Sequence, residues 1–114
     1  MATLYTRRFN LKDSLSDQEV VSHWRFLLDE FGPLVGKVKG VRSVKFYSRH
    51  GALRADLTIA AELDEASVYE KLLVDANVRK QLGRFYGAID LKTSEQAFRR
   101  EVTTELINAL SGTG

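Results

Sequence analysis

Few side chains in this sequence could do chemistry, and they are quickly found. His23 follows Glu19 by one helical turn, a spacing at which a carboxylate can orient an imidazole for proton transfer or raise its pKa. The same spacing describes an ordinary surface pair. His23 and Glu19 are therefore the catalytic candidates, each set against that plainer reading. His50 precedes Gly51 and reads as a turn residue. With two histidines, no cysteine and no close cluster of His and carboxylates, a metal site is not expected. Missing sulfur also removes disulfides, thiol nucleophiles and thiolate ligands together. Phosphate-loop and dinucleotide glycine patterns are absent, so no cofactor is expected.

A second group is polar rather than catalytic. Arg8, Lys45, Tyr47, Arg54, Asp56 and Asp90 fall on strand-like segments, where they could line a polar cavity beneath a dimer and hold an acidic or phenolic ligand. Equally, they could neutralise one another across a sheet, which needs no ligand.

The elements that must position these groups follow from periodicity. Thr3 to Leu11 alternates, with Tyr5, Phe9 and Leu11 on one face and Thr6, Arg8 and Asn10 on the other, as in a half-buried strand. Ser16 and Glu19 form a capping box for a helix starting near Asp17. Val20, Val21, Trp24, Leu27, Leu28 and Phe31 make its apolar stripe, which leaves Phe26 exposed as a contact for a partner or the last helix. Gly32-Pro33 should break or kink it. Val41 to Arg49 and Leu53 to Leu63 then form a hairpin about His50-Gly51, with Lys45 opposite Asp56 and Tyr47 opposite Arg54. Asp64 or Ser67 caps a second helix bearing Val68, Tyr69, Leu72, Leu73 and Ala76, and Asp75 restarts it after a break. Gly83 and Gly87 bracket a loop, Tyr86 to Thr93 suits a short fourth strand, and Ser94 caps a last helix with Phe98, Val102, Leu106 and Ala109.

That order predicts one α+β domain over residues 1–114, with 93–110 as a C-terminal helical extension. A ferredoxin-like βαββαβ arrangement follows: a four-stranded antiparallel sheet, helices on one face, and the other face open. RNA-recognition domains share this order, but the third strand offers no aromatic ring to its open face, so no nucleic acid is expected. Its 17 basic and 15 acidic residues are interspersed, and the net charge of +2 is small. No apolar run approaches a membrane span and no signal peptide is visible; no membrane partner and a cytoplasmic location are expected.

Phe9-Asn10-Leu11-Lys12-Asp13-Ser14-Leu15-Ser16, Gly40-Val41, Ala55 to Asp64 followed by Tyr69, and Ala88-Ile89-Asp90-Leu91 resemble the corresponding segments of the stress-responsive A/B barrel proteins, within the dimeric α+β barrel superfamily. The resemblance spans roughly positions 5 to 93 through spacing and residue class. It implies a homodimer of two half-barrels with a cavity between sheet and helices, and it points to branches that include cofactor-free monooxygenases, lactone isomerases, polyketide cyclases and proteins of no known reaction. Where several relatives carry histidines, this chain has Arg7 and the run Asp75-Ala76-Asn77-Val78. Two functions are consistent with it: binding of a small polar aromatic or lactone-like molecule in the barrel, or a non-enzymatic stress-associated or protein-interaction module.

Overall fold

The computed structural model describes residues 2–112. Alternating burial along β1 (Thr3–Leu11) turns Tyr5, Arg7, Phe9 and Leu11 inward and leaves Leu4 and Arg8 exposed. β1 pairs antiparallel with β3 (Leu57–Leu63) on one side and β4 (Ile89–Arg99) on the other, and β2 (Val41–Ser48) closes the order β2-β3-β1-β4. Leu57, Ile59, Ala61 and Leu63 of β3 face the same way as Tyr5 and Phe9, and the helices cover that side. The ferredoxin-like α+β arrangement is thus present, with one face of the sheet uncovered.

Helix α1 (Asp17–Phe26) starts at the predicted capping box: the Ser16 hydroxyl accepts from the Glu19 N–H and the Glu19 carboxylate accepts from the Ser16 N–H. Its end is not a break. A π-helical turn, Leu27–Phe31, leads into α2 (Gly32–Gly36), so the helix passes through Pro33. Proline lacks an N–H and crowds the preceding carbonyls, and the widened turn lies just before it, where the ordinary helical ladder is interrupted. The buried arc also differs from the predicted stripe. Phe26, expected to be exposed, is 1% accessible beneath the Arg84 guanidinium, whereas Val21 and Leu28 face water. Packing against the second crossover draws in His23 and Phe26.

Gly40, at φ 98°, turns the chain into β2; a Cβ there would lie 2.6 Å from a Val68 methyl. His50 and Gly51 adopt positive φ as expected, but the hairpin is longer than predicted. Ser48 pairs with Leu57, Tyr47 with Thr58 and Lys45 with Ala60, so the expected Lys45–Asp56 and Tyr47–Arg54 pairings are not formed. An even register shift preserves the faces. The loop 49–56 leaves β2 to lie along β1, where the Leu11 N–H donates to the Arg54 carbonyl and the Asp56 N–H to Asn10 Oδ1.

Asp75 ends α3 (Val68–Val74) and caps α4 (Ala76–Gly87), as the expected restart requires. Gly83 and Gly87 lie inside α4 rather than flanking a loop. The predicted helix from Ser94 is not formed: β4 runs on to Arg99, pairing with β1 as far as Leu4, and the last helix α5 is confined to Thr104–Ser111. Pairing with the open edge of β1 outweighs local helix preference in Ser94 to Arg99.

Candidate functional site

Because side chains alternate along a strand, Arg7 must share the inward face of Tyr5 and Phe9. It is 8% exposed. A bulge between Asn10 and Arg8 displaces β4: the Thr93 hydroxyl donates to the Asp90 carbonyl and accepts from the Asn10 N–H, and beyond it Ser94 and Gln96 reach the inward side. Arg7 donates to Ser94 Oγ at 2.8 Å, to the Tyr5 hydroxyl at 3.1 Å and to the Tyr86 hydroxyl at 3.4 Å. The Tyr5 and Tyr69 hydroxyls both donate to Gln96 Oε1 at 2.9 Å. Tyr69 comes from α3 and Tyr86 from α4, so four elements, β1, β4, α3 and α4, meet in one cluster about the guanidinium.

Beside this cluster lies a cavity of about 60 Å³ between sheet and helices. Tyr5, Arg7, Tyr69 and Tyr86 are among the residues that line it, and Phe31 and Phe85, stacked with centroids 4.6 Å apart, form part of a wall that is almost wholly apolar. Burial raises the Tyr5 pKa above the ordinary tyrosine range, against the opposing pull of Arg7. Burial also works against the Arg7 charge, but the tyrosine oxygens, Tyr5 foremost, outweigh it and the net direction is upward. At neutral pH Arg7 is therefore a cation beside a neutral Tyr5 phenol. No imidazole, carboxylate or amine is among the lining residues. Such a site can bind and stabilise charge.

The residues proposed from sequence lie elsewhere. Arg8 and Asp56 meet on the uncovered face at 2.6 Å, and Arg49 joins them through the other carboxylate oxygen, so that both cations hold Asp56 well below the usual carboxylate range, the Arg8 hydrogen bond first. Lys45 and Tyr47 are exposed on β2. Arg54 turns to Asp17 at 2.6 Å and to the Leu15 carbonyl, and Asp90 accepts from the Lys92 N–H. His23 is buried with Nε2 unpartnered; Glu19 is held at the N-terminus of α1 by Ser16, so the two do not form an acid–base pair. Burial, then the Arg84 cation, pull the His23 pKa down to about 4. Among the described residues no group of three or more His, Cys, Asp or Glu could hold a metal, and no helix is long and apolar enough to cross a membrane. The Arg7 cluster was missed although its signal was present: a charged residue at an inward position of the β1 alternation.

No family model matches the chain, and no curated protein does. Solved structures do. Rv0793 from Mycobacterium tuberculosis aligns with TM-score 0.68 at 13% identity, covering 90% of this chain and 97% of its own. SnoaB from Streptomyces nogalater, described as a cofactor-independent oxygenase, aligns with TM-score 0.69 at 11% identity, covering 90% and 95%. A dimeric protein of unknown function and ferredoxin-like fold from Bacteroides fragilis aligns with TM-score 0.63 at 14% identity, covering 86% and 92%. The fold is the one implied by the resemblance to the dimeric α+β barrel proteins.

Proposed function

We propose that two copies of this chain form an α+β barrel and that the cavity between sheet and helices binds a small polar aromatic or lactone-like molecule. One observation carries the ligand reading: Tyr5, Arg7, Tyr69 and Tyr86, partly tied together by hydrogen bonds, border a recess otherwise walled by aromatic and aliphatic groups. That combination of apolar wall and few polar groups is the usual make-up of a small-molecule site. At about 60 Å³ the recess takes a whole ring only if the half-buried Tyr69 and Leu82 or the exposed Leu73 at its border move aside. The Bacteroides fragilis neighbour is described as dimeric, and the uncovered sheet face with exposed Leu4 and Tyr47 gives a second copy a surface to meet. SnoaB is described as a cofactor-independent oxygenase; for this chain, that is a precedent at the level of fold. The protein is placed in the cytoplasm on this reading, in keeping with the lack of cysteine.

Phenol titrated into the 15N-labelled chain should shift amides of β1, α3 and α4, and light scattering at micromolar concentration should return a dimer mass. No shift with either millimolar phenol or millimolar benzoate would end the ligand reading, and a monomer mass would end the dimer. A non-enzymatic interaction module is the second reading, favoured by the salt-linked Arg8–Asp56–Arg49 group on the uncovered face.

A further inference from the structure

Arg7 has no anion. Among the described residues, the ion pairs engage Arg8, Arg42, Arg49, Arg54 and Arg84, and no carboxylate comes within pairing distance of Arg7. Those five arginines are partly or fully open to water, where a pair matters little; Arg7 is the one withdrawn from it. A guanidinium has five N–H donors. Three meet oxygens, all of them hydroxyls, and the contact to Tyr86 is long at 3.4 Å. Tyr5 cannot supply the missing charge, because its proton is committed to Gln96 and burial favours the neutral phenol. A cation taken out of water without a counter-charge is strongly unfavourable, and an apolar side chain of similar length would fill the same space without that cost. Arg7 is among the residues that line the cavity.

We infer that the cavity is an oxyanion site: its ligand is a small aromatic molecule bearing a carboxylate or an ionised phenol, with the oxyanion on Arg7 and the ring against Phe31, Phe85 and Tyr86. This rests on the cavity reading above and adds the charge of the ligand to it. Planar guanidinium and carboxylate groups match in geometry, and a charge-assisted contact sheltered from water is stronger than one between neutral groups. Tyr5, Ser94 and Tyr86 then hold the guanidinium in place.

The test titrates benzoate, its neutral isostere benzamide, and 4-nitrophenol into the full chain, following β1 and α4 amides and thermal melting. Benzoate should bind at least tenfold more tightly than benzamide and weaken with added salt. If 4-nitrophenol binds only above its own ionisation, phenolates belong to the ligand class; if it does not bind while benzoate does, the site selects carboxylates. Arg7→Met should melt no lower than the wild type and lose the benzoate-induced rise in melting temperature, and Arg7→Lys should keep part of that rise. Equal binding of benzoate and benzamide, or an undiminished benzoate response in Arg7→Met, overturns the oxyanion assignment and leaves the cavity reading standing. Failure of all three probes overturns both. Should Arg7→Met not fold, the benzoate-to-benzamide ratio in the wild type decides alone.

Discussion

Gly32 donates its N–H to the Leu27 carbonyl five residues back, and a Cβ built on Gly32 would sit 2.9 Å from that same oxygen. The side chain would also press on the Phe46 ring at 3.0 Å. The π-turn therefore closes only around a glycine, and it is this turn that carries the helix across Pro33. In an ordinary helix Gly→Ala gains about 1 kcal/mol. Here the obstructing atom is backbone, and overpacking of this kind costs about 1–3 kcal/mol. Gly32→Ala should lower stability by about 1 kcal/mol in urea unfolding, and an unchanged or raised midpoint would show that the turn can relax.

That turn also marks what the sequence could show. The β1 alternation, the Ser16–Glu19 capping box, the Asp75 restart and the positive φ of His50 and Gly51 are local, so each was readable from neighbouring residues. Non-local choices were not. Phe26 is buried because α4 brings Arg84 and Phe85 to that side of α1, and Ser94 to Arg99 is strand because β1 offers an unpaired edge. The hairpin register depended on how far the loop 49–56 reaches along β1, which turn residues alone do not encode. The open-face residues were sought as a site because they were charged. Arg7 was the better signal, being charged where the period required an apolar group.

Asp56 occupies the left-handed region at φ 56° while pairing with Arg8 and Arg49. Its depressed pKa has a definite sign. The unfolded chain takes up the proton near the ordinary value of 3.8, whereas the folded one resists it until lower pH, so the stabilisation is present above 3.8 and is lost as pH falls through the folded value. Asp56→Asn should melt lower than wild type at neutral pH, with the gap closing in acid. Asp56→Gly should recover part of the loss, since glycine adopts positive φ freely. A glycine variant no better than Asn would show that the pairs, not the backbone, set the cost.

His23 titrates in the opposite chemical sense but with the same pH trend. Unfolded, it takes up a proton near 6.5; folded, burial and Arg84 delay this to about 4. Stability from the neutral imidazole is complete above about 6.5 and declines as pH falls toward 4. The effect should be about 2 kcal/mol, below the full shift because water in the groove between α1 and α4 screens it. His23→Leu keeps an apolar group against Phe26 and removes the titration. Urea midpoints measured between about pH 7 and pH 4.5 should fall for the wild type and stay nearly flat for the variant. Parallel slopes would assign the acid sensitivity to other groups.

The last helix is amphipathic and has no core of its own. α5 is capped by the Thr103 hydroxyl and ended by Gly112 in the left-handed conformation, yet none of its residues is buried, and Ile107 and Leu110 are exposed. It follows β4 beyond the Arg99–Leu4 pairing in a molecule 56 Å long and only 31 and 21 Å across. A helix of this length is unstable by itself in water, so its apolar stripe calls for a surface to cover it. In the proposed dimer the second copy is that surface. Ile107→Asp with Leu110→Asp should weaken dimerisation by tenfold or more in sedimentation equilibrium, while far-ultraviolet circular dichroism retains the signal of the sheet and α1 to α4. The phenol-induced shifts at β1 and α4 should survive, because the cavity is built within one chain. An unaltered dimer constant would place α5 outside the interface and leave the uncovered sheet face to form it.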